Sequence, residues 1–264
     1  MDKKILILGI TLALSPLAAL AQGTVNDLER DMGARISIEV DKKISKGFHA
    51  GIEAEARISD NFGNFGRYQA GAGLTYKVNP WLKVGGGYLF IEKRNTSYEW
   101  KQRHRIYGDV MGTVRSGDWQ FSLKERLQLT HREVGNEFQN NPNSLTLKSR
   151  LKVSYKGISK AITPYVFAEA RNVFNDPACK ASWNGSEYSD YEFLGYSDAY
   201  FNRARGCIGL EWKMDKHNSF DFFLLGDYCY DKEIDTNAEG TKLKSLTYDQ
   251  ALNFNLGIGY KFSF

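Results

Sequence analysis

An all-β chain closed into an antiparallel transmembrane barrel is the fold this sequence predicts, and three observations carry the prediction. Apolar and polar residues alternate with period two along nearly the whole chain, the alternating tracts are long, and tight and long connections take turns between them. Period two places successive side chains on opposite faces of a strand. Ordinary globular strands run about five or six residues. A tilted bilayer-crossing strand needs about 9–11.

The first 21 residues stand apart from the rest. Lys3 and Lys4 open the chain, Ile5 to Leu14 is apolar, and Ala19-Leu20-Ala21 offers an A-x-A cleavage site before Gln22. This is the layout of a secretory signal peptide. The domain expectation is therefore a signal peptide over 1–21 and one barrel over 22–264. The formal charge is +4, and removing Asp2, Lys3 and Lys4 lowers it by one, to +3. That is too mild for a nucleic-acid partner.

The alternation then recurs in eleven tracts. Ala34-Ile36-Ile38-Val40 alternates with Arg35-Ser37-Glu39-Asp41. Phe48-Ala50-Ile52-Ala54-Ala56-Ile58 alternates with His49-Gly51-Glu53-Glu55-Arg57. Tyr68-Ala70-Ala72-Leu74-Tyr76-Val78 alternates with Gln69-Gly71-Gly73-Thr75-Lys77. Further tracts cover 81–92, 102–115, 119–131, 145–156, 162–171, 200–213, 218–230 and 246–264. Aromatics at 14% and 25 glycines suit pleated structure. A strand with one face to lipid and one to a polar lumen also explains the low mean hydropathy of −0.45.

The connections 42–47, 79–80, 116–118, 157–160 and 215–217 are tight, whereas 59–66, 93–101, 132–144, 172–199 and 231–244 are longer and polar. Short turns on one side and long loops on the other are expected of an outer-membrane barrel, the short set being periplasmic. Bacterial single-chain barrels have even strand counts. The expectation is therefore about 12 strands, the first irregular and drawn from residues 22–33, with 10 as the alternative.

The last strand, LNFNLGIGYKFSF, alternates Leu252, Phe254, Leu256, Ile258, Tyr260, Phe262 and Phe264 with Asn253, Asn255, Gly257, Gly259, Lys261 and Ser263. An apolar outer face ending on an aromatic resembles the signal read by the barrel insertion machinery. That marks Tyr260, Phe262 and Phe264, with Phe262 and Phe264 also suited to a periplasmic aromatic girdle.

With the apolar parity turned to lipid, the other parity lines the lumen. It carries Arg57, Arg67, Arg103, Arg105, Arg115, Lys124, Arg126, Lys148, Arg150, Lys152, Arg171, Arg203 and Arg205. Acids on the same side are Glu53, Glu55, Asp109, Glu169, Glu211, Asp221 and Asp227. Arginine forms planar bidentate pairs with carboxylates and stays charged when enclosed. The expectation is an Arg–carboxylate network bracing a narrow interior, or a basic-biased passage for a small anionic solute. Glu125 breaks the rule by sitting on the apolar parity of Phe121-Leu123-Glu125-Leu127-Leu129.

Other chemistry finds little footing. Cys179, Cys207 and Cys229 make an odd set. A hairpin turn at Asp215-Lys216 would make opposed residue numbers sum to about 431, placing Cys207 opposite the neighbourhood of residue 224 and Cys229 opposite residue 202, too far apart for a disulfide. The four histidines, His49, His104, His131 and His217, are scattered without metal-ligand spacing. His104 and His131 fall on the apolar parity with no serine and acid in plausible register, which argues against a lipid-hydrolysing barrel. His49 stands near Glu53 and Glu55, close to a short turn. No cofactor and no catalytic residue are expected.

The order of these segments resembles a known bacterial family. A strand ending in Arg57, a loop to Arg67-Tyr68, a short turn before WLKVGGGY, then RHRIYGDV, LKSRLKVSYK, ITPYVFAEAR and FNRARGCIGLEW are similar to the family called domain of unknown function 2490, over roughly residues 30–262. The resemblance implies an outer-membrane barrel in a Gram-negative bacterium, in contact with outer-membrane lipids. It brings no activity and no site residues. The expected function is structural or passive transport-type. The rival readings are an exported soluble β-sandwich or lipocalin-like binding protein and, behind it, a lipid-modifying barrel enzyme.

Overall fold

The computed structural model describes residues 23–95 and 97–264. The export-signal expectation for residues 1–21 lies outside them. Eleven strands close into one barrel: β1 (Thr24–Ser45), β2 (Phe48–Ser59), β3 (Asn64–Lys77), β4 (Leu82–Arg94), β5 (Trp100–Ser116), β6 (Trp119–Arg132), β7 (Asn143–Tyr155), β8 (Ile162–Asp176), β11 (Asp198–Lys213), β12 (Asn218–Thr236) and β13 (Leu243–Ser263). Two short strands, β9 (Cys179–Trp183) and β10 (Tyr188–Phe193), form a separate hairpin inside the β8–β11 connection.

Each tract of alternation became one barrel strand. The count is eleven, between the two numbers weighed from sequence, and the even-count argument gives way for a specific reason. Strand β1 runs unbroken from Thr24 and pairs in parallel with β13, from Thr24↔Thr247 to Asp41↔Ser263, while all other neighbours are antiparallel. Residues 24–33 do not make a further crossing; they extend β1 beside β13 with one bulge between Val25 and Leu28. A parallel seam lets first and last strands run the same way, so an odd number closes without an open edge. The seam is finished at the chain end, where Phe264 N donates to Asp41 O at 3.0 Å and Lys43 N donates to Phe264 O at 2.9 Å.

The outer wall is apolar. Ile36, Ile52, Leu74, Ile106, Leu127, Leu151, Val166, Leu224 and Leu256 are all exposed, and Ile208 is 67% exposed. Aromatic rings gather at both rims of this band. Beside the short turns Trp119 meets Tyr155 at 4.9 Å, Phe220 meets Tyr260 at 5.2 Å and Phe262 meets Phe264 at 5.5 Å. Beside the long connections Trp100 packs on Phe65 at 5.8 Å and Tyr68 at 5.2 Å. The exceptional Glu125 has a cross-strand partner: Ser149 on β7 donates its hydroxyl to Glu125 Oε2 at 2.5 Å. Among the described residues no helix is long and apolar enough to cross a membrane.

The long connections are shorter than their polar sequences implied, because polar strands continue above the apolar band. Strands β12 and β13 reach 19 and 21 residues, and only 237–242 turns between them. Above the band Ile234, Leu243 and Leu246 build a small core with Cys179 of β9, against which Tyr188 and Tyr191 of β10 pack. Lys232 ties the base of this insertion, donating to Pro177 O at 2.7 Å, standing 3.4 Å from Asp176 and bonding Asp198. The β6–β7 connection joins it: Gln139 Nε2 donates to Asp235 at 2.9 Å, and Phe138 meets Phe193 edge-on at 5.3 Å.

Candidate functional site

The inward parity of the strands collects the charged residues read from the sequence. At its centre Asp227, with only 3% of its side chain exposed, faces three guanidinium groups: Arg205 at 3.0 Å, Arg203 at 3.3 Å and Arg35 at 3.4 Å. Glu169, equally enclosed, accepts from Arg150 Nε at 2.8 Å and from Arg205 Nη1 at 2.9 Å. Arg205 thus bridges two carboxylates on neighbouring strands, the fork-like use for which arginine's planar donors are suited. Arg35 also donates to Asn255 Oδ1 at 3.3 Å, carrying the network across the parallel seam.

Toward the short turns the ions are paired. Arg126 grips Asp109 with two bonds, Nε at 2.6 Å and Nη2 at 2.7 Å, while Lys124 sits 2.9 Å from the same carboxylate. Lys152 reaches Glu211 at 2.6 Å, and Lys261 reaches Glu39 at 2.5 Å across the seam. Asp221 accepts the Tyr165 hydroxyl at 2.9 Å. Nearer the long connections, opposite Arg67, Arg57 and Glu55 pair at 2.5 Å along β2 itself. Cations also lie over rings: Lys152 is 3.6 Å from the centre of Tyr165, and Arg126 is 3.8 Å from that of Tyr107. Glu53 makes no direct bond, but Arg126 and Lys124, from strands on another side of the barrel, are among its electrostatic neighbours, so it faces the interior. Its exposure there marks water-accessible space.

Toward the long connections the partners change. Arg67 bonds Gln69 at 2.5 Å, Arg105 bonds Thr130 at 2.9 Å, and Arg171 bonds Asn202 at 2.5 Å with Asp231 at 3.8 Å. Among the described residues the buried Nε of Arg103 has no hydrogen-bond partner, and Arg132 is among its electrostatic neighbours. The candidate residues therefore share one interior without forming one continuous salt-bridge lattice.

The interior is not ionic throughout. Tyr165, Cys207 and Leu225 form a buried inward cluster with Phe167 and Phe223, and glycines opposite make room for the rings. A Cβ on Gly257 would stand 2.0 Å from Phe223 Cζ, and one on Gly209 would stand 2.3 Å from Tyr165 Cζ. A cavity of about 210 Å³ lies between these rings and Arg35, Glu55, Arg150 and Arg205.

Cys179, Cys207 and Cys229 are free and buried, and Cys207 stands opposite Leu225 while Cys229 stands opposite Arg203. His49 bonds Asp41 on β1 at 3.1 Å rather than Glu53 or Glu55, because it faces β1 near the turn. On the outer wall His104 bonds the Tyr88 hydroxyl at 2.6 Å, and His131 bonds Asn143 at 2.9 Å. Among the described residues there is no group of three or more metal-ligating side chains.

Several residues of the network escaped sequence reasoning, among them Arg35, Lys93, Asn202 and Asn255. Arg35 alternates correctly with Ala34 and Ile36, and that signal was available. Lys93 was hidden because both faces of β4 are apolar beside it: Leu89 and Ile91 point inward, buried, while Tyr88 and Phe90 point outward. Asn202 lies at a bulge between Phe201 and Arg203, which defeats parity. Asn255 is a small polar residue on a strand read for its apolar face.

No curated protein matches the chain. The model of a family described as Protein of unknown function (DUF2490) matches residues 33–238, from β1 to the tip of the β12–β13 hairpin. That span is well over half of the 264 residues, and the chain belongs to this family, as a closed β-barrel with an apolar outer wall and a charged interior.

Proposed function

We propose that the chain is an outer-membrane β-barrel of structural or passive transport type, exported by a cleaved signal peptide and inserted through its last strand. The single observation that supports this most is the partition of side chains. Large apolar groups cover the outside of strand after strand, and charges sit within. A soluble lipocalin-like carrier has the opposite need, an apolar interior and a polar wall. The aromatic rims fit the two membrane interfaces, with Tyr260, Phe262 and Phe264 at the short-turn rim. That rim is then periplasmic.

Paired ions and inward rings narrow the passage compared with porins of about 16–18 strands. Fractionation tests the reading. The expected result is a membrane-bound protein released only by detergent, with a heat-modifiable gel mobility. Recovery in the soluble periplasmic fraction would overturn it. In planar bilayers the account expects small or absent conductance; a large, porin-like current would contradict the narrow interior.

A further inference from the structure

We propose that the long-connection half of the lumen is a binding site for a dissolved, multiply charged oxyanion of the phosphate class. Among the described residues no carboxylate oxygen lies within 4.0 Å of the charged nitrogens of Arg67, Lys93, Arg103, Arg105 or Lys148. These five groups come from β3, β4, β5 and β7 and address one space. Lys93 has Arg103 and Arg67 among its electrostatic neighbours, Arg67 has Arg105 and Arg103, and Lys148 has Arg105; the acids that also act on them, Asp231, Glu55 and Glu169, stand beyond salt-bridge distance and are already paired with Arg171, Arg57, and Arg150 and Arg205.

Gathered cations with no carboxylate in direct contact are costly, and the cost is reduced when an anion supplies that contact. Neutral donors point the same way. Thr146, 5% exposed, sits two residues from Lys148 on the same face of β7, and its hydroxyl has no partner. The Nε atoms of Arg67 and Arg103 are likewise buried and unpartnered. Guanidinium forks, an ammonium and a free hydroxyl match the tetrahedral oxygens of a phosphate or sulfate group, and several cations call for more than a single negative charge. Lys93 is exposed near the end of β4, which leaves the space open toward the long connections. The groups face the interior, so the ligand comes from solution and is not the headgroup of a surrounding lipid.

The site depends on the barrel interior alone, so it stands or falls separately from membrane location. The test is calorimetric titration of the folded, detergent-purified protein with inorganic pyrophosphate at fixed ionic strength. Binding is expected, weakened at least about tenfold by the double variant R67Q/R103Q and within about twofold of wild type in Lys261→Gln, whose partner Glu39 lies at the other end. Should the double variant not fold, Lys93→Gln, near the mouth, carries the same expectation of weakened binding. No heat from wild type would overturn the site. Equal affinity in R67Q/R103Q and wild type would do the same, as would chloride competing at concentrations equal to pyrophosphate.

Discussion

Beside the short turns, Asp109 is held by Arg126 and Lys124, Glu211 by Lys152, and Glu39 by Lys261. Beside the long connections, Arg67 finds an amide, Arg105 a hydroxyl, and Arg103 another arginine. Both regions line the same cylinder and use the same residue types. In the first, cation and carboxylate come from different strands, so each pair fixes how one strand sits against another; the Lys261–Glu39 pair does this for the parallel seam. In the second, positive charge accumulates at a cost to stability, which the proposed oxyanion would offset from solution. Charge placement, more than charge content, separates a brace from a receptor.

The boundary between the two is Asp227, and replacing it should have the largest effect. Asp227→Asn leaves Arg35, Arg203 and Arg205 enclosed around a neutral amide, with an expected loss of about 3–5 kcal/mol in denaturant unfolding. A loss under about 1 kcal/mol would show that water already compensates the three guanidinium groups. Next comes a matched pair of truncations. Arg126→Met removes two charge-assisted bonds to Asp109 and should cost about 1.5–3 kcal/mol. Arg103→Met removes an unpaired cation and should leave stability unchanged or raised in the same assay. Equal losses would erase the distinction between the halves.

The inward rings sharpen the contrast further. Gly257→Ala places a methyl against Phe223 and should cost about 1–3 kcal/mol, recovered when Phe223→Leu is added. The smallest effect belongs to the β11–β12 turn. Asp215 accepts hydrogen bonds from Asn218 Nδ2 at 2.7 Å, His217 N at 2.7 Å and Asn218 N at 2.8 Å. These hold its carboxyl below the usual carboxylate range, the Asn218 side chain contributing most. A lowered folded pKa means the stabilisation is present above about pH 4 and fades as pH falls through it. Asp215→Ala should therefore lower the melting temperature slightly at pH 7, with the difference closing in acid.

Much of this was legible in the sequence. Eleven alternating tracts became eleven barrel strands, and the hairpin register read from Asp215-Lys216 comes within one residue: Cys207 faces Leu225, in the neighbourhood of 224, and Cys229 faces Arg203, next to 202. Alternation also sorted Asp109, Arg126, Arg150, Glu169, Arg205 and Glu211 to the inside. What stayed hidden depends on non-local geometry. Parallel pairing of β1 with β13 leaves no local mark, because a strand's alternation is the same whichever way its neighbour runs. The β9–β10 hairpin buries Cys179 against Ile234 and Leu246, contacts that span the insertion and the distant end of the chain. Which lumen cations lack a carboxylate depends on distances across the barrel, and parity carries no distances.

The claim on which the functional reading rests is that the apolar outer wall faces lipid. Nitroxide labels at Ile208 on the wall and Ser37 inside, in a background with Cys179, Cys207 and Cys229 changed to alanine, test it in reconstituted vesicles by collision with oxygen and with a water-soluble nickel chelate. The account predicts that the label at 208 collides with oxygen and is shielded from nickel, and that the label at 37 lacks that lipid signature. Free access of nickel to position 208 would contradict it.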